Sequence, residues 1–171
     1  MGTPKERTWR QEIKAVLQSN SRRYGYTPDG QFDSSYRPYS PLSVKKISRP
    51  LRRPLQLPEG KYDFVIVEPV IKKLLGMRRV TIVINDRTQR PHFHGDLAGT
   101  RDVVAAGSFI VDKETIVDKE TSDATTISAL INDSGHYMPY ITSLDVAEKI
   151  MKIYHFPLST NLQKKPYWTR R

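Results

Sequence analysis

The chain has 171 residues, no cysteine and a formal net charge of +10. Its length suits one ordinary domain, and the missing thiols exclude disulfides, thiolate nucleophiles and cysteine-ligated zinc. No run approaches the roughly 18 apolar residues of a membrane span, and the start, MGTPKERTWRQ, lacks the apolar segment of a signal peptide. The expectation is a soluble protein, cytoplasmic or secreted without a cleaved signal peptide.

The charge is unevenly spread. Residues 1–60 hold 12 Lys/Arg and 5 Asp/Glu, residues 61–163 hold 12 and 13, and the last eight, KKPYWTRR, hold 4 and none. A near-neutral centre between basic flanks predicts a Pro/Tyr-rich arm at 1–60, a folded domain at 61–163 and a basic tail at 164–171. Flexible cationic arms suit electrostatic docking to nucleic acid or to an acidic protein surface. The candidate contacts are Arg22, Arg23, Lys45, Lys46, Arg52, Arg53, Lys164, Lys165, Trp168, Arg170 and Arg171. Their cations would neutralise phosphates while Trp168 stacks on exposed bases.

Along the chain, Thr8 and Gln11 have capping-box spacing, and Trp9, Ile13, Val16 and Leu17 follow at helical intervals. This predicts an amphipathic helix at 8–19. Its stripe fits packing on its own domain; with Arg10, Lys14, Arg22 and Arg23 nearby it also fits a calmodulin-type or acidic groove. Six prolines between 28 and 58, with tyrosines interspersed, predict a linker or strap without regular structure. Strands are predicted at 63–67, 79–84, 103–111 and 125–131, while 70–75 reads equally as helix or strand. Gly107 marks a bulge or a close backbone approach. A helix at 143–155 has Thr142 or Ser143 as its cap, Asp145 in its first turn, and Val146, Ile150, Ile153 and Tyr154 as its apolar stripe; Pro157 ends it. Together these predict a single α+β domain, a mostly antiparallel sheet with a packed C-terminal helix and an N-terminal amphipathic helix. The hexapeptide IVDKET occurs at 110–115 and again at 116–121. An even period preserves strand-face parity, so the repeat reads as a lengthened hairpin projecting into solvent.

Two polar clusters could carry chemistry. In Pro91-His92-Phe93-His94-Gly95-Asp96, an extended backbone would put His92, His94 and Asp96 on one face. With His136 as a further ligand, that set suits a zinc-class ion and a metal-assisted hydrolase whose bound water is the nucleophile. The second cluster, Ser134-Gly135-His136-Tyr137-Met138-Pro139, lies in a strand-to-helix loop. His136 exchanges protons near neutral pH and Tyr137 offers a donor and a flat face, but the same residues also suit plain turn chemistry.

The order HFHGDLAG, DVVAAGSFIVD, ALINDSGHYMP and then a helix resembles a domain of plant IQM-type calmodulin-binding proteins and of related fungal and bacterial toxin or effector proteins. The resemblance spans about residues 80–158. Its matching positions are His92 or His94, Phe93, Gly95 or Gly99, Ala105, Ala106, Gly107, Ser134, Gly135, His136, Tyr137 and Pro139, with SGHY-x-P the most specific part. HFHGD replaces the family's His-Ser-Ser-Phe element, IVDKET is duplicated and no IQ motif is present, so calmodulin binding does not transfer. The resemblance implies an effector-like domain that modifies a target. One chemistry is ADP-ribosyl transfer with NAD as cosubstrate: His94 would orient ribose, Tyr137 would stack on nicotinamide and Glu148 would support the ribosyl cation. His136 completes the catalytic set, with Ser134, Gly135 and Phe93 contacting substrate.

Overall fold

A computed structural model describes residues 4–27, 44–69, 79–86, 94–113 and 124–167. The elements in chain order are α1 (Pro4–Ser19), β1 (Val44–Ile47), β2 (Gly60–Val67), β3 (Thr81–Asp86), α2 (His94–Ala98), β4 (Ala105–Lys113), β5 (Thr125–Ile131), α3 (Ser143–Ile153) and β6 (Leu158–Lys165). The strands form one six-stranded sheet in the order β1-β3-β2-β4-β5-β6. All neighbours are antiparallel except β5 and β6, which are parallel and joined through α3. This is the α+β fold predicted from the sequence.

Strand β2 shows why the sheet is covered on both sides. Its alternate residues Tyr62, Phe64 and Ile66 enter the larger core, with Phe109 of β4, Ile13 and Leu17 of α1, and Leu144, Ala147 and Ile150 of α3. Val65 and Val67 face the other way, into a smaller core with Val83, Ala106, Tyr137, and Leu97 and Ala98 of α2. DFVIV is apolar on both faces apart from its aspartate, as a central strand requires.

Three boundaries move. Helix α1 begins at Pro4, ahead of the Thr8 box, and proline suits a first helical position because its missing donor would be orphaned there. Ile13 and Leu17 are fully buried, with Trp9 and Val16 packed against the same core. Each such burial contributes about 1.5–3 kcal/mol, so α1 is an integral layer. Residues 44–47 form edge strand β1 against β3, although their pattern is too short to show a period of two. Residues 158–165 form the opposite edge, β6, whose mostly exposed pattern hid it. The folded unit therefore extends past 61–163 on both sides, and Lys164 and Lys165 belong to a strand.

Gly107 is a close approach: a Cβ there would lie 1.9 Å from the Ile131 carbonyl oxygen. The register shift sits elsewhere, between Ile110 and Val111. Four residues of the first IVDKET copy continue β4 and pair with β5; the second copy lies outside the described residues, as does the ambiguous segment 70–75.

Helix α3 is entered without a side-chain cap. Thr142 makes no capping bond, and the Ser143, Leu144 and Asp145 amides donate to the Tyr140, Ile141 and Thr142 carbonyls. A tighter turn thus satisfies the donors that a capping hydroxyl would serve. At its other end the Phe156 amide donates to Met151 and the His155 amide to Lys152, with His155 at φ 62°. That is a Schellman stop, reached before Pro157.

Candidate functional site

The second face of the sheet carries a row of buried polar side chains. Register places Asn85 of β3 and Ser108 of β4 on either side of Asp63 in β2, and all three are at most 3% exposed. His94 opens α2 above this row. Its Nε2 is 2.6 Å from the Gly107 carbonyl oxygen and 3.7 Å from Asp63 Oδ1. A carbonyl only accepts, so Nε2 carries the proton and donates it there. Ser108 Oγ donates to Asp133 Oδ2 at 3.0 Å, and Lys61 Nζ reaches the same oxygen at 3.2 Å from the rim. The His94 bond to Gly107 ties α2 to β4, and Ser108 and Lys61 offset the cost of burying the Asp133 carboxylate. The signal in the sequence was the aspartate inside an otherwise apolar strand.

From His94 onward the backbone is helical, not extended as the ligand reading requires. Gly99, at φ 62°, stops the helix. His94 is committed to Gly107, while His92, Phe93 and the Asp96 side chain lie outside the described residues. No group of three or more His, Cys, Asp or Glu able to hold a metal occurs among the described residues.

The SGHY segment is a closed turn. The Tyr137 amide donates to Ser134 Oγ, the Met138 amide donates to the Ser134 carbonyl, and Asn132 Nδ2 donates to the Pro139 carbonyl at 2.9 Å. The left-handed residue in it is Met138, at φ 44°, and not Gly135. Residues 24–27 run across it: Tyr24 bridges to Val103, the Thr27 amide donates to the His136 carbonyl, and the Tyr26 ring lies 5.2 Å from that of His136. His136 and Tyr137 are consequently 5% exposed, and the Tyr137 hydroxyl donates to the Arg101 carbonyl at 2.7 Å. Burial pushes the Tyr137 hydroxyl well above its ordinary range, so it stays neutral.

Glu148 is removed from both histidines. It lies on α3, which packs on the larger core, whereas His94 and Tyr137 belong to the opposite face. Its Oε1 is 3.3 Å from Lys164 Nζ, which also bonds Asp145 at 2.6 Å. Glu148 thus lies across the sheet from Tyr137, while His94, His136 and Tyr137 are each at most 7% exposed and Ser134 belongs to the closed turn.

The cations divide sharply. Arg23 pairs with Glu68 at 2.5 Å and also donates to the Asn20 carbonyl, Lys164 is held by two carboxylates, and Arg22 lies over the Tyr140 ring at 4.2 Å. Lys45, Lys46, Arg49, Arg52 and Arg53 are exposed and enter no ion pair among the described residues. They are not on a loose arm. Ile47 and Leu57 are buried, Leu51 and Leu55 pack against the larger core, and the Leu51 amide donates to the Tyr154 carbonyl at 3.0 Å. Apolar residues point inward between the cations, so residues 45–53 form a pinned basic ribbon. Arg49 is its central member. Lys165 is exposed on β6, at the other edge of the sheet, and Trp168, Arg170 and Arg171 lie outside the described residues.

No family model, curated protein or solved structure matches the chain.

Proposed function

We propose that this chain is a docking protein that binds the phosphate backbone of nucleic acid through the ribbon Lys45, Lys46, Arg49, Arg52 and Arg53. The observation that carries the reading is five exposed cations within nine residues, with no acid between 44 and 58, fixed by their own apolar neighbours. Pinning removes in advance much of the ordering cost of binding. Three of the five are arginines, whose planar forks match phosphate oxygens.

Two features favour nucleic acid over an acidic protein. A protein interface needs an apolar centre, yet the exposed large hydrophobic residue among those described is Tyr167, which follows β6 at the far edge. The ribbon also lacks an aromatic ring to stack on a base, so its contacts are to phosphate and independent of sequence. A target-modifying activity of the kind the family resemblance implies would be a separate property, and this proposal does not depend on it.

Fluorescence anisotropy with labelled duplexes of unrelated sequence tests the proposal. Wild type binds them equally, and the fivefold Lys/Arg→Gln variant loses binding while its melting temperature stays within a degree or two. Tighter binding to a polyglutamate chain than to a duplex would transfer the ribbon to an acidic protein partner. Equal duplex affinity of wild type and variant would end the proposal.

A further inference from the structure

Where the chain passes from α1 to Tyr24 it leaves a cleft of about 240 Å³ against the start of α3, lined among others by Asn20, Ser21, Arg22, Tyr24, Thr142 and Ser143. No acid lines it. Ser143 is 2% exposed, yet its Oγ has no hydrogen-bond partner among the described residues. A buried hydroxyl left without a partner is destabilising, and native structures rarely keep one without a use. Here it belongs to the wall of a cavity that also holds a guanidinium.

The electrostatics of the cleft favour an anion. It sits at the positive end of an 11-residue helix. Asp145, the acid of the first turn, is 55% exposed in its side chain and neutralised 2.6 Å from Lys164, and it is not part of the wall. The first-turn amides are already bonded to the preceding turn, so recognition falls to side chains: the Ser143 hydroxyl from within and the Arg22 guanidinium from the rim. Arg22 is exposed and rests on the Tyr140 face, a contact that aims the fork and leaves its N–H edge available. Burial raises the Tyr24 pKa above 10, so the phenol adds no negative charge to the wall.

We propose that this cleft binds a tetrahedral oxyanion of the phosphate class, held by Ser143 and Arg22. The volume is smaller than the roughly 300 Å³ at which drug-sized sites begin. It therefore suits inorganic phosphate or the phosphate of a small monoester, and not a nucleotide bound whole. This site is independent of the basic ribbon: it lies at the start of α3, whereas Leu51 of the ribbon segment meets Tyr154 at the end of α3.

Titration of the full chain with inorganic phosphate, against chloride at matched ionic strength, tests it by calorimetry and thermal shift. Phosphate raises the melting temperature and chloride does not. Ser143→Ala melts at the same temperature or higher without phosphate, because it removes an unsatisfied buried group, yet binds phosphate on the order of tenfold more weakly. Arg22→Gln weakens phosphate to a similar degree. The ribbon variant keeps the full phosphate response, which separates this site from the nucleic-acid reading. A short duplex that fails to displace phosphate marks the small ion or monoester as the source; one that competes at equal phosphate concentration, in the ribbon variant, marks a nucleic-acid phosphate in the same cleft. Phosphate and chloride having the same effect, or the Ser143→Ala/Arg22→Gln double variant binding phosphate as wild type does, would overturn the proposal.

Discussion

At Gly107 two constraints meet in one residue. The Ile131 backbone leaves no room for a side chain, and the Gly107 carbonyl accepts the hydrogen bond of His94 Nε2. Gly107→Ala must push β5 away, and the expected cost is about 2–4 kcal/mol, read as a fall in the urea midpoint. His155 poses the opposite case. It holds the left-handed position of the α3 stop, which costs a non-glycine residue roughly 1–2 kcal/mol, so His155→Gly should raise the melting temperature by about 2–4 °C. No change would show that the 3.3 Å contact of His155 Nδ1 with the Leu51 carbonyl offsets the strain.

The buried tyrosines set the alkaline limit. Burial pushes the Tyr154 hydroxyl up to about 12 and also raises Tyr24 and Tyr137. Unfolded tyrosine ionises near 10, so above that pH the unfolded chain binds fewer protons than the native one and stability falls as pH rises. Below pH 10 these residues contribute no pH dependence. Between 10 and 12 Tyr154 alone accounts for about 1.4 kcal/mol per pH unit. Urea midpoints at pH 9, 10 and 11 should be level across the first step and drop across the second, with a shallower drop in Tyr154→Phe. A flat profile to pH 11 would remove the effect of burial.

Elements with a strong period were legible in the sequence, and those positioned by their neighbours were not. DFVIV, TTISALI and the stripe of α3 declare themselves because two-sided or one-sided burial writes the period directly into residue type. β1 and β6 are edge strands, packed on one side and bonded to one neighbour, so four residues VKKI and the polar LSTNLQKK carry almost no pattern. α2 was misread because HFHGD suits an extended ligand strand as well as a helix entry; only Leu97, Ala98 and the stop at Gly99 mark the turn. The SGHY cluster was visible as a motif, but its burial depends on Tyr26 from more than a hundred residues away, which no local pattern reveals.

For the whole molecule, much of the positive charge among the described residues is built into the fold and not carried on loose arms. α1, β1 and β6 are parts of the fold, and the pairs of Arg23 with Glu68 and of Lys164 with Asp145 and Glu148 withdraw two of the expected contacts. The ribbon at the β1 edge keeps its five cations exposed and anchored, which makes its behaviour quantitative. The direct measurement is the dependence of duplex affinity on salt, for wild type and for the fivefold variant of residues 45–53. Each phosphate contact contributes about 0.9 to the slope of log affinity against log salt, so five contacts give about −4.5, or roughly a 500-fold loss between 50 and 200 mM. The account predicts a slope near that value for wild type and one close to zero for the variant. An equally steep slope in both proteins would contradict it.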